Sequence, residues 1–154
     1  MSQENVEIVR AGFEAWNAGD MDAFGELLAA DVILRLPEGW PEPGPYLGRE
    51  AAMRQFEQNR AVFDADTLEP IGDFIGVGDR VLVRMIWRGL VHGPESALEW
   101  TNMCTVRKGK VMTIEYFWDH ADALEAVGTV GAKRTHRIRH LPVQEDTASW
   151  VGCA

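Results

Sequence analysis

Apolar residues recur at spacings of three and four along Asn5–Asn17. Val6, Val9, Phe13 and Trp16 form one stripe, and the spacing predicts an amphipathic helix. Ser2 or Asn5 can cap it, and Asn17-Ala18-Gly19 ends it. Asp20 then caps a short second helix, Met21–Leu28, with Met21, Phe24, Leu27 and Leu28 on its apolar face. Val32–Leu36 reads as a strand stopped by Pro37. Arg49–Phe63 is a third helix that turns Ala52, Met53, Phe56 and Phe63 inward. From there a period of two takes over. Asp66–Ile75 is a strand whose Pro70 favours an edge position, because proline cannot donate to a ladder. After a turn at Gly76-Val77-Gly78-Asp79, Arg80–Val91 alternates, with Val81, Val83, Met85 and Trp87 inward. His92-Gly93-Pro94-Glu95 turns the chain into a long hairpin, Leu98–Val106 and Lys110–Trp118. Asp119 caps a last helix, Ala121–Val127.

The hairpin carries the pattern most suggestive of function. A three-residue connection, Arg107-Lys108-Gly109, fits a type I turn plus bulge, with glycine taking the positive φ. Residues of equal parity then share a face. Leu98, Trp100, Asn102 and Cys104 lie opposite Met112, Ile114, Tyr116 and Trp118, an apolar and aromatic surface with one amide and one phenol set into it. Such a surface suits a small-molecule pocket, and it also suits a core. The other face carries Glu99, Thr101, Thr105, Thr113 and Glu115. Arg84 and Arg88 share it, so surface pairing is expected there. Between the first strand and the third helix, Pro37–Gly48 is too rich in proline and glycine for regular structure. Trp40 and Tyr46 within it fit either a lid over a pocket or a loop pinned to the core by Trp40.

Helices first and strands afterwards read as an α+β domain, a curved antiparallel sheet wrapped on three N-terminal helices into a cone. Residues 1–128 form this domain. Residues 129–154 have no clear period and form a C-terminal tail, disordered or packing on a neighbouring subunit. The 154 residues suffice for one core, and 46% hydrophobic with 25% charged residues are globular values. A net charge of −9 argues against nucleic acid and anionic membrane as partners, since both need a basic footprint. The tail departs from this balance, with Lys133, Arg134, Arg137 and Arg139 against Glu145 and Asp146. No basic stretch leads into an apolar one at the start, so a cytoplasmic protein is expected. Cys104 and Cys153 lack metal-ligand spacing and read as a buried thiol and a tail thiol. No metal or other cofactor is expected.

Four stretches resemble the nuclear transport factor 2-like superfamily, and within it the SnoaL-like group. They are Ala15-Trp16-Asn17-Ala18-Gly19-Asp20-Met21-Asp22, Leu47-Gly48-Arg49-Glu50-Ala51-Ala52, Gly109-Lys110-Val111 and Ala123-Leu124-Glu125-Ala126-Val127-Gly128. The resemblance covers residues 3–128 and implies the cone-shaped barrel. It also implies pairing of two copies through the outer sheet face, where Leu82, Ile86, Met103 and Phe117 would lie. It does not fix a function, because this superfamily holds isomerases, cyclases, dehydratases, epoxide hydrolases and binding modules.

Carried over residue by residue, the catalytic groups are absent. Where the ketosteroid isomerases of this fold hold a phenol, a base and a second acid, this chain has Gly12, Leu36 and Asn102. Proton abstraction beside a carbonyl needs a base, and leucine is not one. The acid–base aspartate of the SnoaL-type polyketide cyclases matches Tyr116, as does one aspartate of the epoxide hydrolases. The cyclase histidine, glutamine and asparagine match Asn102, Trp100 and Leu36. Glu115 is adjacent to Tyr116 but faces outward by parity, and Asp119 beside His120 already has a capping role.

The expectation is therefore a domain that binds an apolar small molecule in a tryptophan-lined pocket. Its walls would be Trp16, Leu36, Trp40, Met85, Trp87, Trp100, Ile114 and Trp118. The alternative is an isomerase, cyclase or dehydratase acting on a polyketide- or terpenoid-like substrate. There Tyr116 and Asn102 would be the catalytic pair, polarising a carbonyl by hydrogen bonds. A third reading is a protein-interaction module using the basic tail.

Overall fold

The computed structural model describes residues 2–90 and 94–128. Helix α1 (Ser2–Ala18) is followed by α2 (Met21–Glu26), strand β1 (Leu28–Arg35), the two-residue β2 (Tyr46–Leu47) and α3 (Arg49–Arg60). Four long strands come next: β3 (Ala65–Val77), β4 (Arg80–Leu90), β5 (Glu95–Arg107) and β6 (Lys110–Phe117). Helix α4 (His120–Ala126) closes the described chain. The expected turn at His92 and the tail from residue 129 lie outside the described residues.

One six-stranded sheet has the order β2-β1-β6-β5-β4-β3. The last four strands form an antiparallel meander with β3 at the edge, where Pro70 predicts it. The expectation of an antiparallel sheet needs one amendment: β1 joins beside β6 and runs parallel to it. Three register shifts, in the β1–β6, β3–β4 and β5–β6 pairs, bend the sheet. Its concave face closes over α1 and α3, and Val81, Val83, Met85 and Trp87 are all buried there.

The hairpin differs from expectation at its tip. Arg107 pairs with Lys110, so the connection is the two-residue Lys108-Gly109, with φ of 53° and 76°. Two positive φ values fit a type I′ turn, whose twist matches the strands. The extra residue moves up into β6: Thr105 pairs with Thr113 and Val106 with Val111, leaving Met112 as the bulge. Val111 therefore faces the core in place of Met112. Beyond the bulge the predicted parity holds, with Asn102 opposite Tyr116 and Cys104 opposite Ile114.

The outer face is partly covered by the chain itself. Ala123, Leu124 and Val127 of the C-terminal segment pack on Leu82 and Met103, which are 0% and 3% exposed. Those two residues, expected to be open to a second copy, are not available to one. Arg84 pairs with Glu99 at 2.6 Å as expected. Arg88 instead binds Glu69 and Glu95, and Glu115 binds Arg35.

The motif between α1 and α2 serves the fold at four positions. Trp16 is core. Asn17 clamps the edge strand, donating to the Leu68 carbonyl at 3.0 Å and accepting from its N–H at 2.8 Å. Gly19 takes a φ of 76°, and Asp20 caps α2 by accepting from the Ala23 N–H. Helix α3 ends three residues earlier than predicted. Phe63 lies beyond it and packs over Gly89, where a Cβ would come within 2.4 Å of its ring. Only glycine permits that approach, and it brings Phe63 to 4.6 Å from Trp87.

Candidate functional site: a neutral cavity inside the cone

A cavity lies between the concave sheet face, α1 and α3. Its empty space is about 690 Å³ when the open side is counted, and the part that the centre of a water-sized body can reach is about 60 Å³. Of the ten residues singled out from sequence, eight line it: Trp16, Leu36, Met85, Trp87, Trp100, Ile114, Asn102 and Tyr116. Trp40 and Trp118 are placed elsewhere. They pack on Trp100, with ring centres 5.5 and 5.7 Å away, and on each other at 6.2 Å. The Trp118 indole donates to the Glu38 carbonyl at 2.8 Å and the Tyr46 hydroxyl to the Glu42 carbonyl at 2.7 Å. These contacts hold the proline-rich loop against the core, the second of the two roles open to Trp40.

The polar groups of the lining are amides, a thiol, a phenol and indoles. It contains no carboxylate, imidazole, ammonium or guanidinium among the described residues. Asn102 is 6% exposed, and its Oδ1 accepts from the Cys104 thiol at 3.1 Å. Burial pushes that thiol up to about 12, so it stays protonated and able to donate. The same cause raises the Tyr116 phenol well above its ordinary value, which keeps it a donor. Asn102 and Tyr116 face each other across β5 and β6, yet no hydrogen bond joins them. The Trp100 ring stacks on Tyr116 at 4.5 Å, and its indole N–H is buried without a partner among the described residues.

Gly12, at the position where related isomerases hold a phenol, also borders the cavity. A Cβ there would make ordinary contacts of 3.7 and 3.9 Å with Leu27 and Phe24, so the site has room for a side chain. Cys104, on the hairpin face read as a pocket or core surface, joins the lining, and so does Asn59 from α3, which sequence pattern did not single out.

Asp66 is the other polar residue that pattern passed over. Its side chain is 4% exposed. One oxygen accepts from the indoles of Trp16 and Trp87 at 2.8 and 2.7 Å, and the other faces Arg60 at 3.2 Å. The Arg60 guanidinium also lies 4.7 Å above the Trp16 ring. The usable signal was parity: Asp66 shares its strand face with Leu68, whose side chain lines the cavity. Away from the cavity, Asp119 caps α4 through the Ala121 N–H, and His120 Nδ1 shares a hydrogen bond with Thr101 Oγ1 at 3.0 Å. Burial and Arg84 lower the His120 pKa against the opposing effect of Asp119. Among the described residues no group of histidine, cysteine and carboxylate side chains could hold a metal, and no helix is long and apolar enough to cross a membrane.

A family profile described as a SnoaL-like domain matches residues 9–114. Among solved structures, the chain is similar to Bal32a from a soil-derived mobile gene cassette, with a TM-score of 0.68 at 22% identity over 75% of this chain and 88% of that one. TerC, crystallised with polyporic acid, superposes with a TM-score of 0.67 at 24% identity over 81% and 98%. SMa1630 of Sinorhizobium meliloti, a proposed polyketide cyclase, does so with a TM-score of 0.61 at 25% identity over 75% and 98%. No curated protein matches the chain. With the profile spanning most of the cone and the fold shared with these structures, the chain belongs to the SnoaL-like family of the nuclear transport factor 2-like superfamily.

Proposed function

We propose that this domain binds a neutral, largely apolar small molecule inside the cone and does not itself move protons through a carboxylate or imidazole. The supporting observation is the lining: aromatic and aliphatic walls, two neutral hydrogen-bonding side chains from adjacent strands, and no ionised group among the described residues. Such a surface favours burying an apolar body and gives it an orientation. A cytoplasmic setting, and pairing of two copies through the outer sheet area that α4 leaves uncovered, belong to the same proposal.

The test is quenching of intrinsic tryptophan fluorescence by apolar ketones, aromatic polyketides, terpenoids and polyporic acid, the compound crystallised with TerC. Trp16, Trp87 and Trp100 line the cavity and would report an occupant. Saturable quenching that disappears in Gly12→Leu, which fills the space beside α1, is the expected result. No saturable quenching across the panel would overturn the reading.

A second reading, an isomerase, cyclase or dehydratase, is favoured by the pairing of Asn102 with Tyr116 on neighbouring strands. Two donors side by side can hold one carbonyl oxygen and stabilise negative charge that develops on it. Turnover that Tyr116→Phe abolishes while binding persists would select this reading over the first.

A further inference from the structure

We propose that the cavity selects a ligand whose buried oxygen is an acceptor only, a ketone or quinone carbonyl rather than an alcohol, and that Cys104 sets this choice by holding the amide oxygen of Asn102 away from the ligand. The inference rests on the binding reading above and goes beyond it to the polarity of the ligand.

The balance of donors and acceptors in the cavity wall sets this preference. Asn102 and Cys104 are two residues apart on β5 and so lie on one face. The Cys104 thiol donates to Asn102 Oδ1 at 3.1 Å. With its oxygen turned to the thiol, the amide is left with its Nδ2 hydrogens for an occupant. Nδ2 has no protein partner among the described residues, and it is not one of the fully enclosed orphan atoms, so it is reachable from the cavity. The Tyr116 hydroxyl, directly across the strand pair, is in the same position. The Trp100 indole N–H in the same wall also has no partner among the described residues, but it is fully enclosed and is not offered to an occupant. Of the two side-chain carbonyls in the lining, that of Asn102 is turned to sulfur and that of Asn59 accepts from the Gln55 amide at 3.2 Å.

A carbonyl oxygen placed between Asn102 and Tyr116 accepts one hydrogen from each through its two lone pairs and brings no hydrogen of its own that needs an acceptor. An alcohol in the same place can accept from Asn102 and donate to the Tyr116 oxygen. The phenol hydrogen then has no acceptor, and a buried unpaired donor weakens binding by about tenfold or more. If the amide turned over, its oxygen would accept the alcohol's hydrogen and the penalty would vanish. The thiol biases the amide against that turn, because reversal gives up its hydrogen bond to Oδ1 and puts the amide N–H against a sulfur that is a weak acceptor. Cys104 is therefore a positioning residue, acting through Asn102.

The experiment measures dissociation constants for two matched pairs, fluorenone with fluorenol and indanone with indanol, in the wild type, Cys104→Ala and Cys104→Ser. The expected result is about tenfold tighter binding of each ketone to the wild type. That ratio should fall toward one in Cys104→Ala, where the amide is free to turn, and return in Cys104→Ser, whose hydroxyl can donate to the same oxygen. A purely structural role for Cys104 would weaken both members of a pair alike and leave the ratio unchanged, which overturns the inference. Equal binding of ketone and alcohol to the wild type overturns it too, while the binding reading stands. Failure of both ketones to bind also overturns it, and the wider ligand panel then decides separately whether the binding reading falls as well.

Discussion

Two polar clusters are buried in this apolar cone, one around Asp66 and one around Asn102 and Tyr116. At Asp66 both carboxylate oxygens are occupied, by two indole N–H groups and a guanidinium. At Asn102 the oxygen is occupied by a thiol, whereas the amide hydrogens and the Tyr116 hydroxyl have no partner among the described residues. The first cluster holds charge and is complete. The second is neutral and incomplete, and its polar atoms border the cavity, whereas the first cluster reaches it only through the Trp16 and Trp87 rings. A buried cluster whose partners all come from its own chain works for the fold, and one left with spare donors can receive something else.

The sharpest way to break this comparison is Asp66→Ala. It removes the charged partner of Arg60 and the acceptor of both indole N–H groups at once; losing one partner of a buried charged cluster costs about 3–5 kcal/mol, and the 23% exposure of the Arg60 side chain brings that to about 2–3 kcal/mol. We expect a loss in that range by urea denaturation, with quenched or shifted fluorescence from Trp16 and Trp87. A loss below about 1 kcal/mol would mean that the cluster is not the closed unit described.

Alkaline pH attacks the second cluster through its thiol. Burial raises the Cys104 pKa from 9.0 to about 12, so the folded state holds its proton more tightly than the unfolded chain. The contribution of this group is intact below about pH 9 and is lost as pH rises toward 12, at up to roughly 1.4 kcal/mol per pH unit. Cys104→Ala should flatten that part of a stability–pH profile. Iodoacetamide should likewise leave the native thiol unmodified near pH 8 and alkylate it on unfolding.

Gly12→Ala sharpens the comparison from the cavity side. Gly12 lies within α1, has ordinary contact distances at its Cβ position and borders the empty space. Replacing glycine by alanine inside a helix stabilises by about 0.5–1 kcal/mol. A gain of that size with weaker ligand binding would show that the glycine serves the cavity and not the helix.

Much of this was legible in the pattern of the sequence, for reasons that also mark where legibility ends. Period-two alternation from Arg80 onward specified which residues face inward, because a one-residue slip would expose Trp87 and Trp100 together. The motif Trp16-Asn17-Ala18-Gly19-Asp20 pointed to the fold because Trp16, Asn17, Gly19 and Asp20 each have a local structural task, and for that reason it carried little about function. The bulge at Met112 was not legible, since turn and bulge chemistry trade a single residue between loop and strand. Parity could place Asp66 on the inner face, but not its partners Trp16, Arg60 and Trp87, which the closed cone brings to it from α1, α3 and β4. The partial covering of the outer face by α4 depends likewise on where the last helix folds back, which its own sequence does not state.

The smallest expected effect is the most discriminating. Tyr116→Phe removes one oxygen from a residue that stacks on Trp100 and whose hydroxyl has no hydrogen-bond partner among the described residues. Deleting a buried hydroxyl that makes a hydrogen bond typically costs about 1 kcal/mol, so deleting one that makes none should change stability by less than about 0.5 kcal/mol in either direction. The urea midpoint should therefore stay in place, while affinity for a ketone falls several-fold because one of its two donors is gone. The two readouts separate the clusters cleanly. At Asp66 a side-chain deletion is felt by the fold. At Tyr116 it is felt by the ligand. A stability loss above 1 kcal/mol in Tyr116→Phe would mean that the hydroxyl already has a partner within the folded protein, such as an ordered water, and that the second cluster is as complete as the first.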